Sequence, residues 1–83
     1  MSPQPDRMKT FIEHTLQALV NHPEQVVVAE ILGRQTIILE VRCHPEDMGR
    51  IIGKNGKTIS ALRVLLTSLA AKQKRKAVLE VAE

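Results

Sequence analysis

Residues 49–59 read GRIIGKNGKTI, and no other stretch of the 83-residue chain constrains its fold as strongly. Gly53 and Gly56 stand three apart, with Lys54 and Asn55 between them, Ile51 and Ile52 before them and Ile59 after. Two glycines at that spacing let the backbone reverse sharply and approach a ligand without Cβ clashes. The isoleucines anchor the reversal to a core. A corner serving geometry alone has no need of two lysines and an asparagine at its tip. On the near side, Pro45 suits the first turn of a short helix over 45–52, with Glu46 and Asp47 at its positive end. On the far side, Ile59, Leu62, Leu66, Leu69 and Ala70 recur at helical spacing through about Lys74. The stretch is a helix–turn–helix whose turn feeds the N-terminus of a long helix, where the dipole and backbone N–H groups favour phosphate.

Gly56-Lys57-Thr58 also matches the end of a Walker A loop, G-x-x-x-x-G-K-[ST]. The register fails. Five residues before Gly56 stands Ile51, and Gly49 and Gly53 both miss the required position. The preceding segment has the pattern of a short amphipathic helix, whereas such a loop follows a buried strand. A nucleotide hydrolase is excluded on these grounds.

The rest of the chain supplies a sheet. Residues 7–20 place Met8, Phe11, Ile12, Leu16, Leu19 and Val20 on one broad helical stripe, with Asp6 as N-cap after an extended tail held by Pro3 and Pro5. Asn21-His22-Pro23 stops that helix. QVVVAEI (25–31) is β-branched and reads as a strand; Gly33-Arg34-Gln35 turns the chain. TIILEVRC (36–43) alternates, with Ile37, Leu39, Val41 and Cys43 facing one way and Ile38, Glu40 and Arg42 the other, and pairs with the first strand as a hairpin. Ala77, Leu79 and Val81 close the sheet. The order is α-β-β-α-α-β, a two-layer α+β sandwich with helices over one face of a three-stranded sheet. The chain forms one domain over 7–83, with a flexible tail at 1–6.

Charge is divided unevenly. Through Asp47 there are four bases against seven acids, a net charge of −3; from Met48 on there are eight bases against two acids, +6. No acid lies between Asp47 and Glu80. A one-sign field of that length suits a polyanionic partner. With one Phe and neither Tyr nor Trp, the chain lacks the aromatic platforms on which other folds stack bases, which leaves an aliphatic groove read by backbone and polar edges. Cys43 is alone, so no internal disulfide forms and a reducing cytoplasm fits. One Cys and three scattered His lack metal-ligand spacing, so no metal site, and no cofactor, is expected. His14, His22 and His44 have no neighbouring nucleophile, which argues against catalysis and a small-molecule substrate. The N-terminus lacks an apolar secretion core, and no apolar run reaches the ~20 residues of a membrane span.

IIGKNGKTI is similar to the [IV]IGxxGxx[IL] signature of KH domains at every defined position. With HPEDMGRII before it and the element order around it, the whole chain resembles the small stand-alone bacterial KH proteins of the KhpA family, of the type II KH arrangement with a mixed sheet. That resemblance implies single-stranded RNA binding without catalysis, the loop clamping about four nucleotides of backbone beside a base-binding groove. On this sequence, Gly53, Lys54, Asn55 and Gly56 form the clamp. Arg50, Ile51 and Ile52 line one wall; Lys57, Ser60 and Ala61 line the other; Ile38 or Arg42 borders the groove. It also implies a cytoplasmic RNA chaperone or post-transcriptional regulator, acting with a second KH protein of the Jag/KhpB type and bearing on cell shape and cell-wall growth. The competing reading is a dimerisation module whose partner makes the main RNA contacts. The long helix supports association: Val64, Leu65 and Leu69 join Ile59, Leu62 and Leu66 nearly all the way round it, and one sheet covers only one side. A homodimer or heterodimer is therefore expected through the stripe around Ala61 and Val64.

Overall fold

A computed structural model describes residues 5–82. In order they form helix α1 (Pro5–Leu19), strands β1 (Val27–Leu32) and β2 (Thr36–Arg42), helices α2 (Met48–Ile52) and α3 (Lys57–Lys72), and strand β3 (Lys76–Val81). Single 3-10 turns occupy Pro23–Gln25, Pro45–Asp47 and Lys54–Gly56. The expected order α-β-β-α-α-β holds.

β2 is the middle strand. It pairs antiparallel with β1, Val27 opposite Arg42 and Leu32 opposite Ile37, and parallel with β3, Thr36 opposite Lys76 and Val41 opposite Val81. The hairpin closes where the Gly33 N–H donates to the Thr36 carbonyl at 2.8 Å. The central position explains why the alternation of TIILEVRC is the cleanest in the chain: Ile37, Leu39 and Val41 are fully buried, with a strand on each side and helices above. Met8, Ile12 and Leu16 of α1, Ile51 of α2, and Ile59, Leu62, Leu66 and Ala70 of α3 complete one core on that face. The other face of the sheet is open, and Val27 and Ile31 remain more than half exposed there.

Three sequence expectations shift. α1 covers Pro5–Leu19, so Asp6 lies within the helix and not before it as a cap. The rest of the tail, residues 1–4, lies outside the described residues. The core stripe is narrower than the apolar pattern: Phe11, Leu19 and Leu69 are each about two-fifths exposed. Phe11 and Leu69, with Leu65, line a groove between α1 and α3. Finally, α3 stops at Lys72 because Lys74 adopts a left-handed conformation (φ 57°). The Arg75 N–H then reaches back to the Ala70 carbonyl and the Lys74 N–H to Ala71, each at 2.9 Å, closing the helix end and turning the chain into β3.

Candidate nucleic-acid interface

The loop is set up from Asp47. Its carboxylate is fully buried and accepts the N–H groups of Asn21 at 3.1 Å and His22 at 3.0 Å, and the His22 ring Nδ1 at 3.0 Å. One side chain thus fastens the connector between α1 and β1 to the turn that starts α2. Burial by itself raises the carboxyl pKa; the Asn21 N–H, the His22 ring and the His22 N–H outweigh it and hold Asp47 below the ordinary carboxylate range. Its folded pKa lies below its unfolded one. The stabilisation is therefore complete above about pH 4 and lost as pH falls through the folded value. Acid titration followed by circular dichroism should show wild type losing stability below about pH 4. Asp47→Asn should be less stable at neutral pH and flatter in that window. An equally steep acid limb in Asp47→Asn would place the titrating group elsewhere.

From that anchor α2 runs for only five residues, and its last turn aims the chain outward. The Gly53 N–H closes it on the Gly49 carbonyl at 2.8 Å. Gly53 takes φ 78°, ψ 169°, a conformation reserved for glycine. It also passes directly over Thr58: a Cβ at Gly53 would overlap the Thr58 hydroxyl and lie 2.7 Å from its Cβ and 2.8 Å from its backbone nitrogen. Thr58, which imitates the last residue of a Walker A loop, is the floor on which the first glycine rests. A short helix, and not a strand, precedes this turn, in agreement with the failed register of that motif. Asn55 (φ 57°, ψ 27°) and Gly56 (φ 73°, ψ 15°) are both left-handed, and Gly56 has open space where a side chain would stand. Asparagine tolerates that conformation better than most residues. No side chain caps the N-terminus of α3.

The fold brings most of the expected site residues to one surface. Arg50, Ile52, Lys54, Asn55, Lys57, Ser60 and Ala61 are exposed, and Gly53 and Gly56 are half-buried between them. Ile51 is a correction. It is fully buried and belongs to the core, which leaves Arg50 and Ile52 as the exposed residues of the wall expected on α2. Ile38 and Arg42 are corrections too. Strand alternation puts them on the open side of the sheet, opposite the layer that holds α2 and α3, and Arg42 pairs there with Glu40 at 3.3 Å. Among the described residues the close contacts between basic and acidic side chains are Arg42–Glu40 and the His22 ring with Asp47. None of the eight bases from Arg50 to Lys76 takes part in either contact.

Two tethers had no sequence signal. One is Asp47, whose acid at a helix start reads as a favourable dipole contact until its partners 25 and 26 residues away are known. The other is Arg63, whose Nε and Nη2 donate to the Leu79 carbonyl at 3.3 and 3.2 Å and tie α3 to β3. Cys43 is half-buried, with Sγ 3.5 Å from the Met48 Sδ. Burial, then the Asp47 charge, push its thiol pKa up, which suits a packing residue and not a nucleophile. No helix among the described residues is long and apolar enough to cross a membrane.

Comparison with known proteins identifies the family of the chain. The family described as KhpA/KhpB, KH domain, matches residues 9–81. Relatives named RNA-binding protein KhpA include that of Halalkalibacterium halodurans, 45% identical over 89% of this chain and 97% of its own length. Those of Clostridium perfringens (43% identical over 89% of this chain and 99% of its own) and Chlamydia caviae (43%, 92% and 97%) are similar. No solved structure gives a significant match. A family match spanning nearly every described residue, with relatives covered almost end to end, settles the family: the chain belongs to the KhpA/KhpB KH-domain family.

Proposed function

We propose that this chain binds single-stranded RNA without catalysing a reaction on it, holding the backbone at Gly53–Gly56 and the bases between Arg50 and Ile52 on one side and Lys57, Ser60 and Ala61 on the other. The observation that carries the reading is the loop itself. Three residues with positive φ expose Lys54 and Asn55 at an uncapped helix N-terminus, beside bases that have no ion-pair partner among the described residues. Relatives named RNA-binding protein KhpA point the same way. Binding without aromatic platforms accords with the composition, since the single phenylalanine, Phe11, lies in the α1–α3 groove.

The test is the salt dependence of binding to an unstructured oligonucleotide. Each phosphate neutralised on a single strand contributes about −0.7 to the log–log slope, so three or four contacts give roughly −2 to −3. A flat response would remove the electrostatic clamp. A slope near −7 would extend the path along Lys72–Lys76.

Association belongs to the same reading. Val64 is 65% exposed and Leu65 47%, on the side of α3 away from the sheet. A domain that grips only a few nucleotides gains from a second one. The resemblance to the KhpA family supplies the rest of this reading: a cytoplasmic RNA chaperone or post-transcriptional regulator, working as a homodimer or with a Jag/KhpB-type KH partner in the control of cell shape and cell-wall growth. Val64→Glu should shift sedimentation at micromolar concentration towards monomer and weaken capture of such a partner. A variant that associates like wild type in both assays rules this stripe out. The second reading, a dimerisation module whose partner makes the RNA contacts, is favoured by the same exposed stripe. It predicts that the purified chain binds RNA only when the partner is present.

A further inference from the structure

Away from the loop, the two 3-10 turns that flank the sheet bring two histidines face to face. His22 precedes the turn Pro23–Gln25 and His44 precedes the turn Pro45–Asp47. Their rings stack with centroids 4.0 Å apart and planes 11° from parallel. Glu46 stands beside them, and one donor atom from each of the three lies within 4.8 Å of the others. The two histidines stand 22 positions apart in the chain, so no linear spacing announces the group.

We infer that His22, His44 and Glu46 form a binding site for a divalent transition ion of the zinc type. Two imidazoles and one carboxylate are a donor set that zinc accepts, with a fourth position left to water. The His22 ring is held by a buried neighbour. Its Nδ1 is engaged by the fully buried Asp47 carboxylate at 3.0 Å, which fixes the proton there and leaves the Nε2 lone pair for a metal. His44 and Glu46 must adjust. Donor atoms around a tetrahedral zinc ion sit about 3.4 Å apart, and the ion lies in the plane of each ring, so the His44 ring turns out of its stack. The turn costs the hydrogen bond that the His44 Nδ1 accepts from the Glu46 N–H at 3.0 Å. The three side chains are half-buried or exposed, so the rearrangement displaces no core residue. The bound ion would clasp the α1–β1 connector to the turn that leads into α2, in parallel with the Asp47 tether.

The test uses tag-free protein and zinc chloride alone. Calorimetric titration should give a one-to-one isotherm. His44→Ala should weaken it by at least about tenfold, Glu46→Gln by less, and His14→Ala, at an exposed position outside the group, should leave it unchanged. Side-chain nitrogen NMR of wild type offers a reading that needs no variant: zinc should move the His22 and His44 ring signals together and leave His14 in place. The site is overturned by the absence of a zinc isotherm, by an isotherm that survives His44→Ala, or by His14 responding in step with the other two. RNA binding plays no part in these outcomes, so the loop assignment stands or falls separately.

Discussion

Gly53→Ala should lower the melting temperature by roughly 10–20 °C, while Gly56→Ala should lower it by about 5 °C. Both glycines have positive φ, so the difference comes from surroundings. At Gly56 an added methyl meets open space, and the cost is the left-handed conformation alone, about 1 kcal/mol. At Gly53 the methyl meets the Thr58 side chain and its backbone nitrogen, and the φ, ψ pair is one that alanine avoids. Strain and overpacking together cost about 3 kcal/mol. A domain of this size holds only about 4–12 kcal/mol in total, so the loss is severe. Replacing Thr58 with alanine removes the hydroxyl beneath the methyl and should recover part of it, and only part, because the Thr58 Cβ at 2.7 Å and the nitrogen at 2.8 Å remain. Thermal melts of Gly53→Ala, Gly56→Ala and the pair Gly53→Ala/Thr58→Ala provide the check. Equal losses at the two glycines would show that the close passage over Thr58 does not govern the turn.

Lys54→Asp combined with Asn55→Asp should reduce affinity for a single-stranded RNA oligonucleotide by on the order of tenfold or more, and flatten its salt dependence. The pair changes the charge of the loop tip by three units. Both side chains are exposed, and aspartate tolerates the left-handed conformation that Asn55 holds, so the fold has no reason to respond. Arg42→Glu is the matching control: it changes charge as a surface residue, but on the open face of the sheet, and should leave affinity nearly unchanged. Fluorescence anisotropy with circular dichroism on each variant separates the cases. If the loop variant keeps wild-type affinity with an unaltered spectrum, the clamp is elsewhere. If Arg42→Glu loses as much, the binding surface includes the sheet face that the geometry sets apart from α2 and α3.

Local patterns in this chain were enough for its elements. Alternation in TIILEVRC identified a strand with one buried face, the spacing of Ile59, Leu62 and Leu66 identified α3, and the glycine pair located the reversal, because each signal arises between residues that are neighbours along the backbone. The composition and the run of unopposed bases likewise pointed to a polyanion without any coordinates. Orientation was another matter. Ile51 and Ile52 are equivalent in the sequence, yet one is fully buried and the other exposed, because α2 is too short for its own periodicity to choose a face and packing against the core decides it. Leu69 fits the apolar repeat of α3 but falls at the edge of what the sheet can cover. Ile38 and Arg42 were known to face away from the core, but their distance from the loop followed only once the helices were seen to share the opposite layer. Asp47, His22 and His44 show the limit most clearly. A buried carboxylate and a stacked pair of rings depend on connectors more than twenty residues apart meeting in space, and no periodicity along the chain records which turn will fold over which.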